Sequence, residues 1–225
     1  MYKPVILYED NHLIAVNKLP GEITQGDITG DVPMTEHLKE YLKRTYNKPG
    51  NVFVGLIHRI DRPVSGVVLF AKTSKGLSRM NELFKQRETE KTYWALVQGM
   101  PREPEAMLTH YLKRSQKTNI TTAFDKPGHD TQEAILSYTV INSSPKYSLL
   151  EVKPITGRTH QIRAQLSKIG CSIKGDKKYR SDHGTPDRSI CLHARELRFI
   201  HPITKEAIVI TAPVTNPHVW EGLVV

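Results

Sequence analysis

Asp61 stands between two arginines in the stretch His58-Arg59-Ile60-Asp61-Arg62-Pro63-Val64-Ser65-Gly66. A lone carboxylate with cations on both sides is a group whose reactivity burial and charge can tune. The same residues also suit a solvated turn closed by a local Asp–Arg pair, because structural ion pairs have this composition too. A second constellation is Thr156-Gly157-Arg158-Thr159-His160-Gln161-Ile162-Arg163-Ala164-Gln165-Leu166. A helix beginning there, flanked by Arg158 and His160, suits an anion such as phosphate. Taken singly, each of those residues is equally at home on a solvated polar face. Tyr93, in Lys91-Thr92-Tyr93-Trp94-Ala95-Leu96-Val97-Gln98-Gly99, reads on its own as a core aromatic whose hydroxyl finds a partner.

The elements that must hold these groups follow from the flanking patterns. Val52-Phe53-Val54-Gly55-Leu56-Ile57 and Val67-Val68-Leu69-Phe70-Ala71 are short, β-branched apolar runs, so they predict buried strands. Pro63 lacks a backbone donor and Ser65-Gly66 permits a tight turn, which puts the charged cluster on the loop between them. Residues 8–18 predict a turn and a strand ending at Lys18, broken by Leu19-Pro20-Gly21, with a loop over 22–33. Thr35 is a candidate cap for a helix over 36–45, and Ser74 for one over 75–87 with the apolar stripe Leu77, Met80, Leu83 and Phe84. Alternation over 106–142 predicts antiparallel strands turning at Pro127-Gly128, followed by a hairpin through Ser143-Ser144-Pro145 into Tyr147–Val152. Thr156 or Thr159 would cap a third helix ending near Gly170, with Ile162, Leu166 and Ile169 inward and His160 and Arg163 on an adjacent face. His201-Pro202-Ile203-Thr204-Lys205 predicts a turn between the last long strands.

Composition narrows the chemistry. The chain has 225 residues, a net charge of +9 and a pI of about 9.5. The basic residues are spread over many segments, which argues for a folded basic face and a polyanionic partner, with nucleic acid leading. No run of about eighteen apolar residues is present to span a membrane. The two cysteines, Cys171 and Cys191, fit a reduced compartment such as the cytoplasm. No Cys-x-x-Cys pair accompanies the ten histidines, so no zinc site is recognisable. The zinc deaminase signature and the phosphate-cradling glycine loop are also absent. Ordinary glycoside hydrolysis uses two carboxylates across the bond, and the central stretch supplies one. No cofactor and no metal are called for, and no protein partner is inferred.

The central stretch resembles the His-Arg-Leu-Asp-x-x-Thr-Ser-Gly signature of the RluA family of pseudouridine synthases, with Ile60 for Leu and Val64 for Thr. Lys91–Gly99 is similar to that family's Lys-x-Tyr-x-Ala-x-Val-x-Gly segment. Thr156–Leu166 is similar to its Thr-Gly-Arg-x-His-Gln-Ile-Arg-x-His-Leu motif, with Gln165 for the second His. Asn17-Lys18-Leu19-Pro20-Gly21, Gly175-Asp176-x-x-Tyr179 and Leu192-His193-Ala194 also match family segments.

The resemblance implies an α+β fold: a mixed, largely antiparallel sheet flanked by helices, with a basic catalytic cleft. It implies one catalytic domain over residues 1–225, without a separate N-terminal RNA-binding module. The implied reaction is isomerisation of specific uridines to pseudouridine in structured RNA, a stem-loop of large-subunit ribosomal RNA or transfer RNA. Asp61 would act on the ribosyl part and Tyr93 would lie against the uracil. Arg163 would pair with Asp61, and Arg62 would fill the space left by the extruded base. His58, Arg59, Arg158 and His160 would contact the RNA, and Lys18 would support the site. Two other readings accompany this one: a non-catalytic RNA-binding ribosome-assembly factor, and an RNA or DNA base glycosylase.

Overall fold

The computed structural model describes residues 3–26 and 29–224. Residues 27 and 28 of the expected 22–33 loop, and residues 1, 2 and 225 of the expected domain, lie outside the described residues. In chain order the elements are β1 (Ile6–Glu9), β2 (Leu13–Lys18), α1 (Met34–Thr45), β3 (Gly55–Leu56), β4 (Ser65–Ala71) and α2 (Ser74–Gln86). Then come β5 (Thr89–Gln98), β6 (Glu105–Arg114), β7 (Thr121–Phe124), β8 (Gln132–Ser143), β9 (Tyr147–Pro154), α3 (Gln161–Lys168), β10 (Leu192–Ile200) and β11 (Ala207–Thr211). The fold is α+β, with mixed, mostly antiparallel β-structure and three α-helices. No helix among the described residues is long and apolar enough to cross a membrane.

The chain forms two compact units, one from residues 1–90 and 194–215, the other from 91–193 and 216–225. In the first, β2 and β4 pair antiparallel from Leu13↔Ala71 to Lys18↔Gly66. Every residue of both strands is buried, so both read as continuous apolar runs rather than alternating ones. Their core residues Leu13, Ala15, Val67 and Leu69 join Leu197 and Phe199 of β10 and Met80 of α2. The α2 stripe packs as its spacing predicts, with Leu77, Leu83 and Phe84 against that core.

The helix starts shift from expectation. Thr73 rather than Ser74 caps α2, its hydroxyl accepting the Gly76 N–H at 3.0 Å. Helix α1 starts at Met34 behind Pro33, so Thr35 falls inside the first turn and caps nothing. The strand expected over 52–57 shrinks to Gly55–Leu56, because β10 takes the rest of that edge of β4.

In the second unit the strand order is β5-β9-β8-β6-β7, all paired antiparallel. Helix α3 buries every residue from Gln161 to Leu166. Neither Thr156 nor Thr159 caps it. The N-cap is His160, in the left-handed region at φ 55°. The Thr156 hydroxyl bridges β8 and α3, accepting the Ile135 N–H at 2.8 Å and donating to Gln161 Oε1 at 2.8 Å. Ile169 closes α3 as its C-cap. Cys171 and Cys191 are buried free thiols of this unit. Burial raises the pKa of Cys171 and pushes that of Cys191 up to about 12.

Candidate active site

In the first unit, the loop between β3 and β4 carries Asp61. The Asp61 carbonyl accepts the Val64 N–H at 3.0 Å, closing a turn over 61–64. Ile60 and Val64 are buried at its two ends. Val64 therefore anchors the turn by burial where the related signature has a threonine. Gly66, the second residue of β4, stands at φ +114°, where a Cβ would lie 2.3 Å from the Ala194 carbonyl oxygen. Only glycine fits such a position. His58 holds the other side of the loop. Its Nε2 accepts the Leu69 N–H at 3.1 Å, and its ring stacks on Phe84 with centroids 5.0 Å apart. His58 therefore also fastens the loop, contacts that the spacing in sequence did not reveal.

Lys18 lies under this loop with no exposed surface. Its Nζ donates to the carbonyls of Leu19 at 2.9 Å and Arg62 at 3.0 Å, and the Arg62 carbonyl also accepts the Gly21 N–H at 2.8 Å. Burial pulls the Lys18 pKa down to about 7, opposed by the charges of Glu22 and Asp61. The Arg62 guanidinium is engaged elsewhere, on Asp31 at 2.5 Å and on the Thr29 hydroxyl at 3.3 Å. Arg59 is exposed, and its guanidinium has no partner among the described residues.

The second unit brings Arg158, His160 and Arg163 together at the start of α3. The Arg158 Nε donates to the Glu133 carbonyl at 3.1 Å, and its backbone N–H to Gln161 Oε1 at 2.9 Å. Arg163 is buried and grips Asp176 through two parallel hydrogen bonds, Nε to Oδ2 at 2.6 Å and Nη2 to Oδ1 at 2.8 Å. This is the bidentate fork that fits a carboxylate best. Its guanidinium also lies over the Tyr179 ring, 4.9 Å from the centroid. Asp176 and Tyr179 belong to the Gly175-Asp176-x-x-Tyr179 segment, whose tie to Arg163 the sequence did not expose. Tyr93 is half-buried on β5, opposite Val152 of β9. Gln165, in place of a second histidine, is fully buried and reaches His110 Nδ1 at 3.1 Å and the Ala134 carbonyl at 3.1 Å.

Residues 12–168 match the family model described as RNA pseudouridylate synthase. The chain belongs to that family. It is accordingly an RNA pseudouridine synthase, which sets aside the base-glycosylase and non-catalytic readings. It is 32% identical to the tRNA pseudouridine synthase C of Vibrio cholerae, over 97% of this chain and 93% of that protein. It is also 32% identical to the ribosomal large subunit pseudouridine synthase C of Buchnera aphidicola, over 95% of this chain and 68% of that protein. Among solved structures, human RNA Pseudouridylate Synthase Domain Containing 4 superposes with a TM-score of 0.79 at 22% identity, covering 96% of this chain and 93% of that one. That likeness bears on the fold alone.

Proposed function

We propose that this synthase modifies a uridine in the loop of a transfer RNA stem-loop, with Asp61, Tyr93 and Arg163 acting on the same nucleotide. The observation that carries this reading is the match to the synthase named for transfer RNA along 93% of its length. Large-subunit ribosomal RNA is the substrate to test beside it, because relatives of equal identity carry that name.

The reaction exchanges one bond for another. The C1′–N1 glycosidic bond breaks, the uracil turns, and a C1′–C5 bond forms. The C5 proton is lost and N1 gains one, so no oxidant and no group donor enters. Asp61 acts on the ribosyl part while the bond is open, and Tyr93 stacks on the uracil and helps remove the C5 proton. Arg163, gripped by Asp176, is the basic residue that the resemblance gives to the same chemistry.

A base inside a stacked helix is shielded, so the target must be extruded, which costs less in a loop than in a duplex. A planar guanidinium beside Asp61 fills the gap. Resemblance gives this role to Arg62, but Arg62 is tied to Asp31 and Thr29, whereas Arg59 has no partner among the described residues. That difference supports Arg59 as the second candidate. The decisive experiment maps pseudouridine in total RNA with and without the gene. It then measures turnover and affinity for Arg59→Ala and Arg62→Ala on the mapped stem-loop and on a fully paired version. The filling residue is the one whose loss lowers rate more than affinity. Equal wild-type rates on the two RNAs would remove the extrusion argument.

A further inference from the structure

We propose that Tyr179 is a positioning residue that serves two substrate-facing groups at once, its ring holding Arg163 and its hydroxyl holding His160. The proposal rests on the reading of Arg163 as catalytic and His160 as an RNA contact.

Tyr179 is buried at 5% exposure and is fixed at four points. Its carbonyl accepts from the hydroxyls of Ser172 at 2.7 Å and Ser167 at 3.0 Å. Its phenol oxygen accepts the Thr121 N–H at 2.8 Å and lies 2.8 Å from His160 Nδ1. The ring carries the Arg163 guanidinium on its face. Asp176, three residues earlier, holds the same guanidinium in its plane through Nε and Nη2. One short 3₁₀ turn, Lys177–Tyr179, together with its N-cap Asp176, therefore clamps Arg163 from the face and from the edge. A guanidinium held this way loses little freedom when it meets a substrate.

The hydroxyl has a separate task. A phenol has one proton to give. We assign that proton to His160 Nδ1, with the Thr121 N–H donating to the same oxygen. The imidazole is then the Nε2–H tautomer, with its donor on the nitrogen away from Tyr179. The left-handed backbone at His160, φ 55°, is the conformation in which the ring meets this hydroxyl. Holding a residue there costs energy, and the surrounding bonds must secure it. Fixing the tautomer makes His160 a ready donor to a phosphate or base edge without rearrangement.

The two tasks separate by substitution. Tyr179→Phe keeps the ring under Arg163 and removes the hydroxyl, so KM for the stem-loop should rise about three- to tenfold while kcat changes far less. Tyr179→Leu removes the ring as well, so kcat should fall about 10- to 100-fold. Phenylalanine thus restores the kcat that leucine loses, a pattern that simple loss of packing does not give. In a His160→Ala background, Tyr179→Phe should add no further rise in KM, because the hydroxyl acts through that ring. Circular dichroism and thermal midpoints, with assays run well below the lowest midpoint, keep unfolding out of the comparison. Parallel losses in both variants, or an undiminished rise in KM without His160, would overturn the proposal. Asp61→Asn is run beside them. Turnover by that variant would sink the catalytic reading itself, whatever Tyr179 does.

Discussion

At the scale of single residues, Asp61 stands out by its neighbours, two arginines, a proline and a serine-glycine pair within nine positions, and by the resemblance that gives it a catalytic role. Asp61→Asn is nearly isosteric and removes the charge. Turnover should fall to background while circular dichroism and RNA affinity stay near wild type, and measurable turnover would dismiss Asp61 from the chemistry. Lys18 was legible as a position but not as a buried ammonium, since burial is a property of the fold. Its pKa falls from 10.5 to about 7 on folding. The unfolded chain therefore binds the proton more tightly. Stability from this group is full above the unfolded value, declines as pH falls through the window, and is lost below about 7. The decline amounts to on the order of a few kcal/mol. Urea midpoints across this window should fall with pH for the wild type and much less for Lys18→Met. Identical profiles for the two proteins would refute the depressed pKa. Asp176 was hidden for a different reason. Its pairing with Arg163 spans thirteen positions and a helix end, and no local pattern encodes it.

At the scale of elements, the strands and the apolar stripe of α2 were readable because periodicity reports burial directly. Helix starts were less so. Thr35, Ser74, Thr156 and Thr159 are all good caps by type. Yet Pro33, Thr73 and His160 take the N-cap positions, and of the three Thr73 alone makes a side-chain cap hydrogen bond. Gly66 shows how tightly one strand start is specified. Gly66→Ala must place a methyl against the Ala194 backbone at positive φ. It should destabilise by more than about 3 kcal/mol, measured as a fall in the thermal midpoint. A midpoint within experimental error of the wild type would contradict that packing. Arg163→Met exposes a second dependence, since it strands the Asp176 carboxylate at 1% exposure. Breaking a buried pair on one side costs about 3–5 kcal/mol. That variant should lose stability in urea together with activity, whereas Asp61→Asn should lose activity alone.

At the scale of the whole molecule, net charge was the most direct signal, and its distribution sharpens it. The unit made of residues 91–193 and 216–225 carries 16 basic and 10 acidic residues, against 16 and 13 in the other. RNA affinity should weaken with salt as counterions cease to be released, by at least about tenfold between about 50 mM and about 200 mM. Filter binding across that range checks it, and a flat response would remove phosphate contacts as the main source of affinity. The division of the chain into two units was not legible, because the first is assembled from segments a hundred residues apart. That same division gives the two thiols a use. Cys171 and Cys191 are the only cysteines, both sit in one unit, and both are buried with raised pKa values. A thiol-modifying reagent should therefore be silent on the native protein and act as a clock for the opening of that unit alone. Labelling rates set against a global probe would reveal whether one half of the molecule breathes before the other melts.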